Sequence, residues 1–263
     1  MRKILSALLC GLLIAAVANS AAAVEPLRVL MITGGGYHDY NKQKIILSDG
    51  ISARANVVWE IVQQENVAAG VLPKIYENED WAKGYNVILH NECYAQYSKE
   101  EVIDRIVKSH VDHKVGMVAI HCAMHTFRDS KTKEWDNLIG VESRRHGAKF
   151  PIVVKNLAPK HPVMKAFPAN WTSPQGELYH TTPLAETKVL GVGYKIGEEQ
   201  KTSQACIWAS EYKGVRTLGV TLGHHNETVS ENVYLDLLAR AVLWSCDKLN
   251  EDGTPKDGYG PQK

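Results

Sequence analysis

VGMVAIHCAMHTF, residues 115–127, decides how this chain is read. Val115 to Ile120 is an apolar run suited to a buried strand, and it breaks at His121 into a helix start. In open α/β sheets, ligands gather where strands end at their carboxyl side and helices begin. An imidazole at such a bend faces a helix N-terminus, which favours the neutral form that acts as a base or metal ligand. His121 is therefore the point against which the remaining polar residues are judged.

The flanking sequence repeats this arrangement. LRVLMIT, residues 27–33, runs into Gly34-Gly35-Gly36-Tyr37-His38-Asp39. Such a continuous apolar run suits a parallel strand covered on both faces, and the glycines permit a tight turn with exposed N–H groups. A phosphate loop competes with a plain strand-to-helix turn, but neither GxGxxG nor Gly-Lys-Ser/Thr is present. A helix over Lys42 to Arg54 leads to the strand ANVVWEIV, and a third strand, Val87 to His90, ends in His90, Asn91 and Glu92. Ser98 to Glu101 reads as a capping box for a helix with Val102, Ile103, Ile106 and Val107 inward.

Past the central stretch, Trp135, Leu138 and Ile139 predict a short helix, and ESRRHGAK, residues 142–149, a polar loop. A run of this kind reads first as a solvated face, with a clamp on a polar substrate by Arg144, Arg145 and His146 as the alternative. PIVVK is another strand, followed by a Pro-rich ordered excursion and then Glu177-Leu178-Tyr179-His180. Strand periodicity puts Glu177 and Tyr179 on one face and His180 on the other. ACIWASEY, Lys213-Gly214 and VRTLGVTLG form a hairpin that ends in Gly223-His224-His225-Asn226-Glu227. An amphipathic helix over Val233 to Leu249 precedes a loose tail, residues 250–263.

Composition bounds the function classes. Residues 1–23 carry Arg2-Lys3, an apolar stretch from Ile4 to Ala18 and Ala21-Ala22-Ala23, the pattern of a secretory signal. The stretch is shorter than the ~20 residues of a spanning helix. We therefore expect a periplasmic or secreted protein with no membrane association after cleavage. The whole chain has 30 Lys and Arg against 29 Asp and Glu, and the signal holds two of the basic residues. A mature net charge near zero argues against nucleic acid as partner. What remains is one α/β domain, residues 24–249, large enough for a single core. The wide spacing and apolar neighbours of Cys93, Cys122, Cys206 and Cys246 suggest core thiols more than a disulfide framework, and there is no CxxC pair.

His38-Asp39, His90-Asn91-Glu92, His121 with His125, and His224-His225 with Glu227 all fall at predicted strand ends, which points to one shared pocket. Three chemistries compete for it. Nucleophilic catalysis has a base and orienter in His224 and Glu227, but its nucleophile would be Cys122, one residue past the bend. Metal binding would use the H-x-x-x-H pair His121 and His125 on one helix face, with His224 or His38 as third ligand. General acid–base chemistry uses the residue types most fully: histidine and carboxylate move protons while Asn, Tyr and Arg hold hydroxyls. No cofactor is required for that, and a divalent metal is left open.

GGGYHDY, AIHCAMH, GELYH, LGHHNET and the helix NVYLDLLARAVLWS together resemble the trehalose-utilisation (ThuA-like) family over most of residues 26–248. The resemblance implies a flavodoxin-like, mostly parallel sheet with helices on both faces, as in class I glutamine amidotransferases. The amidotransferase nucleophile position falls on His121, and its His-x-Glu segment is similar to the stretch holding His224, His225 and Glu227. A histidine at that elbow speaks against glutamine hydrolysis. The family also implies carbohydrate processing, particularly of oxidised (3-keto) disaccharides or glycosides made by a partner sugar dehydrogenase. The expected catalytic set is then His121 and His224 oriented by Glu227. His38, Asp39, Asn91, Arg144, His146, Glu177 and Tyr179 would hold the substrate.

The rival reading is a non-catalytic sugar-binding or partner-docking domain on the same scaffold, since function resides in the site and not the fold. An enzyme should bring His121 and His224 within reach of each other. A binding module should instead turn aromatic platforms such as Trp171 or Trp208 to solvent.

Overall fold

Alternation within the apolar runs shows why a sheet forms and why both its faces are covered. Leu27, Val29 and Met31 enter one hydrophobic cluster, Leu30 and Ile32 the other. Val118 and Ile120 divide from Met117 and Ala119 in the same way. Successive strand side chains point to opposite faces, so a run apolar at every position buries both.

A computed structural model describes residues 24–64 and 70–262. Its elements in order are β1 (Leu27–Gly34), α1 (Tyr40–Ser52), β2 (Val57–Gln64), β3 (Val87–Glu92), α2 (Glu100–His113), β4 (Gly116–Ile120), α3 (Glu134–Ile139) and β5 (Val141–Asn156). They continue with β6 (Asn170–Pro183), β7 (Lys188–Lys195), α4 (Glu199–Thr202), β8 (Gln204–Tyr212), β9 (Val215–Val220), α5 (Asn226–Val229) and α6 (Asn232–Ser245). The secretory signal falls outside the described residues. Among the described residues no helix is long and apolar enough to cross a membrane.

Among the described residues, one sheet of nine strands runs β2-β1-β3-β4-β9-β8-β7-β5-β6. Neighbours from β2 through β9 pair in parallel. From β9 to β6 they pair antiparallel. Leu47 and Ile51 of α1, with α6, pack on one face. Ile103 and Ile106 of α2, with Trp135 and Leu138 of α3, pack on the other. The expected flavodoxin-like α/β fold is thus present, and an antiparallel wing extends it beyond β9.

Several local expectations change. ESRRHGAK is not a loop but the first half of β5, paired with β6 from Ser143↔Thr181 to Lys149↔Glu177. Pairing of β5 with β7 begins only at Ile152, so this half forms a two-stranded ribbon open on one edge, which explains its polar sequence. Ser98 does not cap α2: the N-cap is Lys99, without a side-chain bond, and Glu100 and Glu101 offset the positive helix end instead. The tail is docked, not loose. Asn56 N–H donates to Tyr259 O at 3.0 Å, its side-chain amide donates to Gly258 O at 3.0 Å, and Leu249 bridges Pro255. The hairpin turns at Lys213-Gly214, both at positive φ as a two-residue type I′ turn requires.

Candidate active site

Strand ends deliver the site. The loop after β1 brings His38, the ends of β3 and β4 bring Cys93 and His121, and the segment after β9 brings His224. The antiparallel wing folds Glu177 and Tyr179 of β6 and His146 of β5 over them. His38, Cys93, His146, Glu177, Tyr179 and His224, with Tyr37, Ala95, Cys122, His125, Arg128 and Lys149, enclose a cavity of about 290 Å³, and His121 lies buried directly behind its wall. That volume is near the lower end for small-ligand pockets.

His121 is held in a constrained way. Its φ of 45° puts a non-glycine residue in the left-handed region, at the step from β4 into a 3-10 turn, His121–Met124. Such a conformation costs on the order of 1–3 kcal/mol and persists only where the surroundings over-determine it. Here its Nδ1 lies 2.7 Å from Thr221 O, which can only accept, so Nδ1 carries the proton and Nε2 offers a lone pair. That lone pair faces His224 Nδ1 at 3.3 Å, the Tyr179 hydroxyl at 3.4 Å and Glu177 Oε2 at 3.7 Å. The His38 ring sits edge-on to both imidazoles, with centroid distances of 4.7 Å.

Glu177 is the carboxylate of the cluster. Its Oε2 lies 3.1 Å from His224 Nδ1 and 3.5 Å from His146 Nε2. Burial is the largest single influence and pushes its pKa up. The His224 hydrogen bond and the charges of His224, His146 and His38 together outweigh it, leaving the carboxyl below its ordinary value. Burial, then the neighbouring His224, lowers His38 from 6.5 to about 4. Burial, then His38, holds His121 well below the ordinary histidine range. The site therefore sets the neutral imidazoles of His38 and His121 beside the carboxyl of Glu177.

A second layer fixes the His224 segment. Gln43 of α1 donates to Gly223 O at 3.0 Å and to His224 O at 3.4 Å, and accepts from Asn91 Nδ2 at 3.2 Å. Gly223 has φ 118°, and a Cβ there would lie 2.7 Å from the Tyr234 hydroxyl that holds Leu222 O. Thr228 Oγ1 donates to Gln175 O at 3.2 Å, tying α5 to the strand that carries Glu177.

The structure brings together His38, His121, His224, Glu177, Tyr179 and His146, and it separates others. Glu227 does not orient either histidine: it is exposed in the first turn of α5 and lines an adjoining open cleft with Asp39. Asp39 caps α1 through Lys42 N–H and accepts from Asn226 Nδ2 at 2.8 Å. Asn91 reaches the site only through Gln43. Arg144 pairs with Asp136 at 3.0 Å, away from the cavity. His125 is no partner for His121 in a ligand set. A 3-10 turn replaces the helix that would align the two rings, and His125 meets Ser143 Oγ at 3.0 Å and stacks on Tyr179 at 4.0 Å. Cys122 is joined to Cys93 in a disulfide, contrary to the core-thiol expectation, so it offers no thiolate here. The glycine loop after β1 serves close packing: a Cβ on Gly35 would lie 2.3 Å from Cys93 O.

Gln43, Arg128 and Lys149 are absent from the sequence-derived set. Gln43 left a signal, a polar residue in the i, i+4, i+8 stripe with buried Leu47 and Ile51. Arg128 and Lys149 left none, because each looks like an ordinary surface charge.

A family model described as "Trehalose utilisation" (ThuA) matches residues 28–245. No curated protein matches. Among solved structures, the chain is similar to a putative ThuA-like protein from Parabacteroides merdae, at 18% identity and TM-score 0.64, covering 90% of this chain and 98% of that one. A putative ThuA-like protein from Bacteroides uniformis, at 18% identity and TM-score 0.60, covers 87% and 96%. A cold-adapted β-galactosidase from Rahnella shares the fold at 11% identity and TM-score 0.54, over 82% of this chain and 31% of that one. With the family model spanning the parallel sheet, the antiparallel wing and all the strand ends that build the cavity, this chain belongs to the ThuA, or trehalose-utilisation, family.

Proposed function

We propose that this protein is an exported carbohydrate-processing enzyme that acts on oxidised (3-keto) disaccharides or glycosides by proton transfer. The observation that carries the reading is the carboxylate of Glu177 in the cavity wall, 3.1 Å from His224 Nδ1 and beside the neutral imidazoles of His38 and His121. A ketone acidifies the C–H bonds beside it. Glu177 takes one of those protons, the electron pair moves to the keto oxygen as an enolate, and the donors of the cavity wall, the Tyr179 hydroxyl and the Lys149 ammonium, stabilise the charge. Return of that proton from Glu177 to the neighbouring carbon gives isomerisation, and its delivery from Glu177 to a departing β-oxygen gives elimination. The disulfide beside the cavity supports an oxidising compartment. The partner that makes the substrate would be a sugar dehydrogenase.

The non-catalytic alternative lacks its expected feature, since Trp208 is fully buried and Trp171 is 8% exposed. Incubation with 3-keto-trehalose or a 3-keto-glucoside in D2O, followed by NMR, tests the proposal. We expect deuterium uptake beside the carbonyl or product formation, with Glu177→Gln slower by about 10²–10⁴-fold. Neither exchange nor product from the wild-type protein would sink it.

A further inference from the structure

Three histidines from three separate strand ends present ring nitrogens to one another. One ligand atom from each of His38, His121 and His224 lies within 4.8 Å of the other two. Hydrogen bonding alone leaves this arrangement incomplete. His121 Nε2 is a lone pair, and His38 Nδ1 is buried with no hydrogen-bond partner. An imidazole nitrogen in that position loses a hydrogen bond to water and gains none in return.

We infer that His38, His121 and His224 form a three-histidine site for a divalent transition metal of the zinc type, with its open position facing the cavity. Metal–nitrogen bonds of about 2.0–2.1 Å in a tetrahedron put ligand atoms about 3.3 Å apart. His121 Nε2 and His224 Nδ1 stand 3.3 Å apart. Metal-bound histidines donate their other ring N–H to a fixed acceptor, and His121 Nδ1 does so to Thr221 O at 2.7 Å. Three imidazoles and no thiolate suit zinc, cobalt or nickel more than calcium or magnesium. The donor set leaves a fourth vertex, and Glu177 lies beside it as a hydrogen-bonding neighbour of whatever oxygen binds there.

This inference deepens the keto-sugar reading of the same cavity and supplies its electrophile. The keto oxygen takes the open position, its lone pair bound to the metal, and the enolate charge that forms when Glu177 removes the adjacent proton is stabilised there. The site differs from the H-x-x-x-H set in using His38 from the β1 loop in place of His125.

Metal binding is measured without substrate, so the two proposals fail separately. Full-length protein, stripped with chelator and free of any affinity tag, is titrated with Zn²⁺ by calorimetry, and with Co²⁺ while recording its visible spectrum. We expect one equivalent and a tetrahedral cobalt spectrum in wild type and in His125→Ala, with binding about 100-fold or more weaker in His38→Ala and His224→Ala. Circular dichroism confirms that the variants fold. Absence of saturable binding, or unchanged affinity in folded His38→Ala and His224→Ala, overturns the metal site. One bound metal with no turnover of keto sugars sustains the site and sinks the substrate reading. Full turnover by the metal-free protein sustains the substrate reading and overturns the metal's part in the reaction.

Discussion

At the scale of single residues, the site depends on positions that a sequence marks unequally. His38, His121 and His224 were legible because each follows an apolar run that must end at the same edge of a parallel sheet. Glu177 was legible as a strand residue sharing a face with Tyr179, but its place as the partner of His224 was not, because Glu227 is nearer in sequence. Gln43 shows what a hidden positioning residue does. Gln43→Leu keeps the volume of the side chain and leaves Asn91 Nδ2 and Gly223 O without partners. We expect a loss of about 1–3 kcal/mol in urea unfolding. Weakened activity or metal binding should accompany it, since the His224 segment loses its tie to α1.

At the scale of elements, the disulfide and the ribbon decide the shape of the pocket. Cys93–Cys122 closes a separation of 29 residues and joins the end of β3 to the turn that begins at His121. Chain entropy for a loop of that length gives about 3.5 kcal/mol of stability. Cys93→Ser with Cys122→Ser, or reduction of the wild type, should lower the unfolding free energy by roughly 2–5 kcal/mol. Denaturant melts with and without dithiothreitol check this: equal stability in both would show that the bridge does not constrain the unfolded chain. The pairing was not legible, because two cysteines on different strand ends meet only once β3 and β4 lie side by side. The first half of β5 was misread for a related reason. A ribbon exposed on one edge has no apolar stripe to announce it, and its pairing with β6 is set by neighbours in the sheet, not by its own residues.

At the scale of the whole molecule, buried neutral histidines tie stability to pH. His110 is fully buried, and burial, then the adjacent His90, lowers it from 6.5 to about 3. Its Nδ1 donates to Val115 O, so Nε2 accepts from His90, whose Nδ1 lies 2.8 Å from Glu92 Oε1 beneath the Tyr76 hydroxyl. Burial, then Arg128 and His146, lowers His125 to about 3 as well. Both folded pKa values lie below the unfolded value, so the unfolded chain binds more protons below pH 6.5. Stability is therefore full above about pH 6.5 and declines as pH falls toward 3, by up to about 1.4 kcal/mol per pH unit for each group. Urea midpoints measured from pH 7.5 to 4 should fall steadily, and a flat profile would contradict the buried network.

The sequence by itself determined the α/β architecture, the two-faced core and the strand ends at which chemistry collects. Local periodicity and chain punctuation encode those features directly, and the resemblance of the ordered motifs to the ThuA-like family adds the topology. Only the tertiary structure decided which carboxylate meets the imidazoles, that Cys93 bonds Cys122, that His38 and not His125 joins His121, and that the tail packs on Asn56. Each of these is a contact between residues far apart along the chain. Its partner is chosen by sheet order and by the angle at which each strand ends, which no local pattern records.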